Sequence, residues 1–135
     1  MSPQEIIEKM MADDQMSQWL GISILNYTPG AVRLQMTVRD EMVNGFGVAH
    51  GGISYSFADS ALAFSANSHG IRSMSIETSI SHQKMIKVGD VLTVHSKELS
   101  LSRKIGVYAM EVYNQEEELV AHFKGTVYRS GKAWE

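Results

Sequence analysis

Residues 50–70 read HGGISYSFADSALAFSANSHG. A histidine and two glycines lead into a mostly apolar stretch with helical character, about residues 52–68, closed by Gly70. One carboxylate, Asp59, interrupts it, with Phe57 and Ala58 before it and Ala61, Leu62 and Phe64 after it. A helix this apolar needs cover on nearly every face. The rest of the chain supplies that cover as strands.

Upstream, Ser2-Pro3-Gln4-Glu5 reads as a capped helix start, and Ile6, Ile7, Met10 and Met11 recur at helical spacing up to Asp13-Asp14. The segment GISILNYTPGAVRLQMTVRD continues as two strands about the turn Tyr27-Thr28-Pro29-Gly30, whose Pro-Gly suits a type II turn. Val32, Leu34, Met36 and Val38 alternate with polar residues, the mark of a sheet with one wet face. Downstream of the helix, Met74, Ile76 and Ile80 alternate with Ser and Glu, and DVLTVHSKELSLS, IGVYAMEVYN and ELVAHFKGTVYR complete four strands. Leu92 and Val94 share a phase that Leu99 and Leu101 do not, which predicts a bulge. The expected fold class is α+β: one long central helix wrapped by a curved antiparallel sheet of five to six strands, with a short N-terminal helix. No repeat or linker divides residues 1–135, so a single domain is expected.

Twelve basic against fifteen acidic residues, with no Lys/Arg run, argue against a nucleic-acid partner. The absence of cysteine removes disulfides, thiolate catalysis and cysteine zinc sites, and fits a cytoplasmic location. No apolar run reaches the ~18–20 residues that cross a bilayer, and MSPQEIIEKMMADDQM lacks the plan of a signal peptide. Phosphate-loop, dinucleotide and nucleophile-elbow glycine patterns are missing. The five histidines show no metal-ligand spacing; His82 and His95 are the one pair that cross-strand pairing would bring together.

Chemistry therefore concentrates at the loop-to-helix junction. The first N–H groups of a helix lack internal partners and sit at the positive end of its dipole. Gly51 and Gly52 let a ligand approach those groups, either as an anion site or as an oxyanion donor contributing roughly 2.7–4 kcal/mol; the same glycines also suit a plain tight turn. Asp59 sits among Tyr55, Ser56, Leu62, Ala63 and Ala66 on the helix. It reads as a general base or nucleophile with a pKa raised by burial, as part of an exposed stripe, or as one partner of an ion pair to a strand Arg or Lys. Eight residues at 1.5 Å rise separate Gly51 from Asp59 by about 12 Å, whereas a reacting carbonyl needs both within roughly 3 Å. A two-fold dimer with antiparallel helices resolves this, so a site shared between subunits is expected.

The stretch NGFGVAHGGISYSFADSALAFSANSHG resembles the motif region of hotdog-fold acyl-CoA thioesterases of the PaaI type, associated with phenylacetate catabolism. The likeness runs over about residues 40–130 and takes in KVGDVLTV, IGVYAMEVYNQ and LVAHFKGTVYR. By that resemblance, Asp59 is the catalytic carboxylate, Gly51 the N–H donor to the thioester carbonyl, Asn44 a residue near the water or thioester, and His50 a loop-fixing residue close to the site. Ser75 matches a serine that assists water in some related enzymes. The resemblance also implies a homodimer with interface active sites, its pairing into a homotetramer, an acyl-CoA substrate, and no metal or other cofactor.

Gly52 and Tyr55 are further substrate-binding candidates. For the CoA phosphates the basic candidates are Arg103 and Lys104, with Arg72, Lys84 and Arg129 behind them. Two other readings stay open at this point. One is a hotdog hydratase or dehydratase using His50 with Asp59; the other is a non-catalytic acyl-CoA binding module.

Overall fold

The computed structural model describes residues 1–135. Helix α1 (Pro3–Asp13) starts as its sequence requires: Ser2 Oγ accepts from the Glu5 N–H at 3.2 Å, and Glu5 accepts from the Ser2 N–H at 2.9 Å. A second short helix, α2 (Gln15–Leu20), departs from the sequence expectation. Two adjacent acids read as a helix stop, but Asp14 is the N-cap of this second helix. Its carboxylate accepts from both N–H and Oγ of Ser17, at 2.9 and 2.6 Å. Gly21, at φ 74°, ends the helix.

Strands β1 (Ser23–Thr28) and β2 (Ala31–Thr37) flank the Pro29-Gly30 turn, where Gly30 takes φ 83° as a type II turn demands. Helix α3 (Gly51–Asn67) comes next, then β3 (Ile71–His82), β4 (Val91–Leu101), β5 (Ile105–Tyr113) and β6 (Leu119–Ala133). All six strands form one antiparallel sheet in the order β1-β2-β4-β5-β6-β3. The predicted bulge falls between Glu98 and Ser100 of β4. No helix is long and apolar enough to cross a membrane.

α3 packs against β2 through β6, so its apolar surface is covered by the sheet. Phe57, Ala58, Ala61 and Phe64 are fully buried with Leu34, Leu92, Val94, Met110 and Phe123 from the strands. The helix lies so close to β6 that a Cβ on Gly125 would stand 2.5 Å from Leu62 Cδ2. Beyond its two N-terminal glycines, only Tyr55, Ser56, Asp59 and Ala63 of α3 stay partly exposed, a stripe at helical spacing along one face.

β3 lies at one edge of the sheet and pairs only with β6. A register shift between Ser75 and Glu77 interrupts the predicted alternation: Ile80 packs against the core, whereas Met74 is 77% and Ile76 61% exposed. His82 and His95 do not face each other. They lie on β3 and β4, with β5 and β6 between them, because β3 joins the sheet beside β6 and not beside β4.

Candidate active site

The loop entering α3 is built on Asn44. Its Oδ1 accepts from the Phe46 N–H at 2.9 Å and the Val48 N–H at 3.4 Å, while its backbone N–H donates to Val48 O at 2.8 Å. The His50 N–H then donates to Met42 O at 2.8 Å, which fixes where the helix begins. His50 is the N-cap, and its Nδ1 accepts from the Gly52 N–H at 2.9 Å. The Ile53 N–H donates to His50 O at 2.9 Å. Gly51 N–H has no acceptor within the chain. One bare donor therefore stands at the positive end of a 17-residue helix.

Beside it is a cavity of about 360 Å³ lined by Gly51, Ser54, His82 and Lys84 among others. A Cβ on Gly51 would come 3.2 Å from His82 Nε2, and His82 Nδ1 lies 3.4 Å from Ser54 Oγ. No sequence pattern marks His82 for this place, because its contact with Ser54 spans 28 residues.

Asp59 sits two turns further along, in the partly exposed stripe. Its carboxylate makes no hydrogen bond and no ion pair. Burial pushes its pKa above the ordinary carboxylate value, and the nearby Asp14 carboxylate adds to the rise. Asp14 is held there through Ser17, whose Oγ also contacts Ser60 Oγ at 2.7 Å. Of the sequence readings, the ion pair is absent, and the unpaired acid stands on the partly exposed stripe of α3.

Asp59 opens onto a separate cavity of about 270 Å³, shared with Met10, Leu62, Ala63, Asn67 and Ser75 among others. The two cavities have no lining residue in common. Within one chain, the free N–H and the unpaired carboxylate thus face different spaces.

The other candidates divide. Gly52 gives its N–H to His50 and is unavailable to a ligand at that atom. Tyr55 lines neither cavity: its hydroxyl bonds Thr78 Oγ1, and its ring meets Phe123 edge-on at 5.4 Å. Ser75 lies opposite Val127, which lies opposite Gly106, so the Arg103–Lys104 turn is at the Asp59 end of the sheet. Both basic side chains are exposed and unpaired. By contrast, Arg72 stacks over Trp134 at 4.3 Å, Lys84 pairs with Glu118, and Arg129 donates to Ser102 O at 2.7 Å.

Residues 46–121 match the model of the thioesterase superfamily. A relative in Archaeoglobus fulgidus is 38% identical over 93% of this chain and 82% of its own. The acyl-coenzyme A thioesterase PaaI of Escherichia coli is 34% identical over 90% of this chain and 87% of its own. The structure of that protein, from the phenylacetic acid degradation operon, superposes with a TM-score of 0.94 over 97% of this chain and 95% of that one. A Streptococcus mutans protein solved with acetyl CoA bound, 26% identical, gives 0.81 over 84% of this chain and 91% of its own. With its hotdog architecture and these matches, the chain belongs to the thioesterase superfamily as a thioester hydrolase of the PaaI type.

Proposed function

We propose that this protein hydrolyses acyl-CoAs carrying small aromatic or medium acyl groups, with phenylacetyl-CoA or hydroxyphenylacetyl-CoA favoured, to the free acid and CoA. The names of the E. coli relative and of its operon support that substrate class. One observation carries the mechanism: a free N–H at Gly51 and an unpaired carboxylate at Asp59 stand on one helix but face separate cavities. A two-fold dimer with antiparallel α3 helices joins them, Gly51 from one subunit with Asp59 from the other. The open edge of β3, with Met74 and Ile76 exposed, supports that pairing, since an uncovered apolar edge strand is a template for another strand. Two such dimers would make the homotetramer that the resemblance implies.

In this reading Gly51 N–H polarises the thioester carbonyl, and Asp59 takes a proton from a water that adds to the carbonyl carbon. The tetrahedral intermediate collapses with cleavage of the C–S bond, and the CoA thiolate receives the proton held by Asp59. No metal or prosthetic group takes part. Of the five basic candidates, Arg103 and Lys104 are the ones left free for the CoA phosphates. Asn44 shapes the loop before Gly51, and Ser75 stands at the Asp59 cavity to orient the water.

The test is free-thiol release from a panel of acyl-CoAs. Asp59→Asn is expected to lower kcat by about a hundredfold or more. Undiminished turnover in that variant removes Asp59 from the mechanism, and binding without cleavage by the wild type favours an acyl-CoA binding module. Single turnover in ¹⁸O-labelled water separates general-base catalysis from direct attack by the carboxylate, which would place label in Asp59.

A further inference from the structure

The cavity beside Asp59 shares one lining residue with a neighbouring cavity. Met10 of α1 lines it, and Met10 also lines a second cavity of about 380 Å³ whose other walls include Lys9, Asp14, Arg72 and Trp134. Part of this partition is fixed. Asn67, only 2% exposed, accepts at Oδ1 from Trp134 Nε1 at 2.8 Å and from the Ser73 N–H at 2.9 Å. Its Nδ2 donates to Ala63 O at 2.8 Å and Ser73 O at 3.0 Å. Asn67 faces the Asp59 cavity and Trp134 faces the second one, so their hydrogen bond ties the two sides of the wall together. Displacing this part would break buried hydrogen bonds.

Met10 is different. It is partly buried, makes no hydrogen bond, and carries an unbranched side chain that changes rotamer at little cost. It is the part of the partition that substitution or rotation opens.

We propose that Met10 sets the upper length of the acyl group, as a bulkhead between the cavity at Asp59 and the one at Trp134. This role rests on the thioesterase reading: with the thioester carbonyl at Asp59, the acyl group runs along Leu62, Ala63 and Val127 toward Met10. A short or aromatic group ends there. A longer chain must move the methionine, beyond which lie the Lys9 stem and the Trp134 ring with Arg72 stacked on it, in a cavity that Asp13 and Asp14 also line.

The experiment measures kcat/KM for phenylacetyl-CoA, hexanoyl-CoA and decanoyl-CoA with wild type, Met10→Ala and Met10→Phe. Met10→Ala is expected to raise the decanoyl-to-phenylacetyl ratio about tenfold or more, the scale on which pocket methylenes discriminate. Met10→Phe, which keeps the wall, is expected to hold or lower it. A loosened α1 would lower all three substrates alike and leave the ratio unchanged. An unchanged ratio in an active Met10→Ala, or a ratio that rises equally in Met10→Phe, overturns the role of Met10 alone. Should Met10→Ala fail to fold, a raised ratio in Met10→Phe still overturns it, and a held or lowered ratio supports it. Wild-type protein that cleaves none of the three overturns the thioesterase reading, and the bulkhead with it.

Discussion

Gly125→Ala would drive a methyl group into the central helix. The new Cβ would lie 2.5 Å from Leu62 Cδ2, 3.1 Å from Cδ1 and 3.3 Å from Cγ. Carbon atoms in contact rest at about 3.5–4.0 Å, so the closest pair must separate by about 1 Å. Leu62 is 1% exposed, and the open space beside it is the Asp59 cavity that it lines, so relieving the contact pushes its side chain toward that cavity. The backbone at Gly125 is held on both sides, paired with Tyr108 of β5 and Thr78 of β3. Overpacking of this kind costs about 1–3 kcal/mol, which in a domain of this size lowers Tm by several degrees.

Thermal and urea unfolding of a double-mutant cycle isolates the clash. Leu62→Ala alone costs about 2–5 kcal/mol through the cavity it leaves. In that background Gly125→Ala meets no leucine methyl, and its cost is expected to vanish. A neutral Gly125→Ala, or an equal cost in both backgrounds, refutes the close approach of α3 to β6. Leu62 lies one turn past Asp59, so the clash also shifts the carboxylate, and kcat should fall with stability.

Three further predictions concern the site. Asp59 must be ionised to accept a proton, so the acid limb of kcat/KM should lie above the ordinary carboxylate value of 3.8. Asp14→Asn keeps a capping side chain but removes the like charge, and should move that limb to lower pH; a limb that stays in place refutes the coupling. A carboxyl whose pKa is raised in the folded state contributes stability that is present below its unfolded pKa and lost as pH rises through the folded one. Asp59→Asn should therefore melt above wild type at neutral pH, with the gap narrowing in acid. Ile76→Lys places a charge on the open edge of β3 and should lower the mass in solution and abolish turnover together. A fully active monomer refutes the shared site.

What could be read in the sequence was local. The Ser2–Glu5 capping box, the Pro29-Gly30 turn and the β4 bulge each depend on residues within a few positions of one another, and each is in place. Asp59 stood out because a charge breaks an otherwise apolar helix. The residues that gather around it did not, since they are joined only by the fold. Met10 reaches Asp59 from another helix, and Asp14 reaches it through Ser17 and Ser60, which are 43 residues apart. Tyr55 shows the same limit from the other side. Its place on α3 was evident, but the partner that turns its hydroxyl away, Thr78, lies on a strand 23 residues later. Strand order was equally hidden: alternation marks β3 as a strand, and nothing in it says that β6 is its neighbour.

The cap at the start of α3 fixes more than the helix. Because His50 Nδ1 accepts from the Gly52 N–H, that nitrogen carries no proton, and a neutral ring holds its one hydrogen on Nε2. His50 therefore meets an incoming molecule as a hydrogen-bond donor, with no lone pair to offer. It can orient an oxygen while Nδ1 stays occupied by the Gly52 N–H. That hydrogen bond counts against the proton-exchanging pair with Asp59 that a hydratase needs. In the proposed reaction, proton transfer falls to the Asp59 carboxylate.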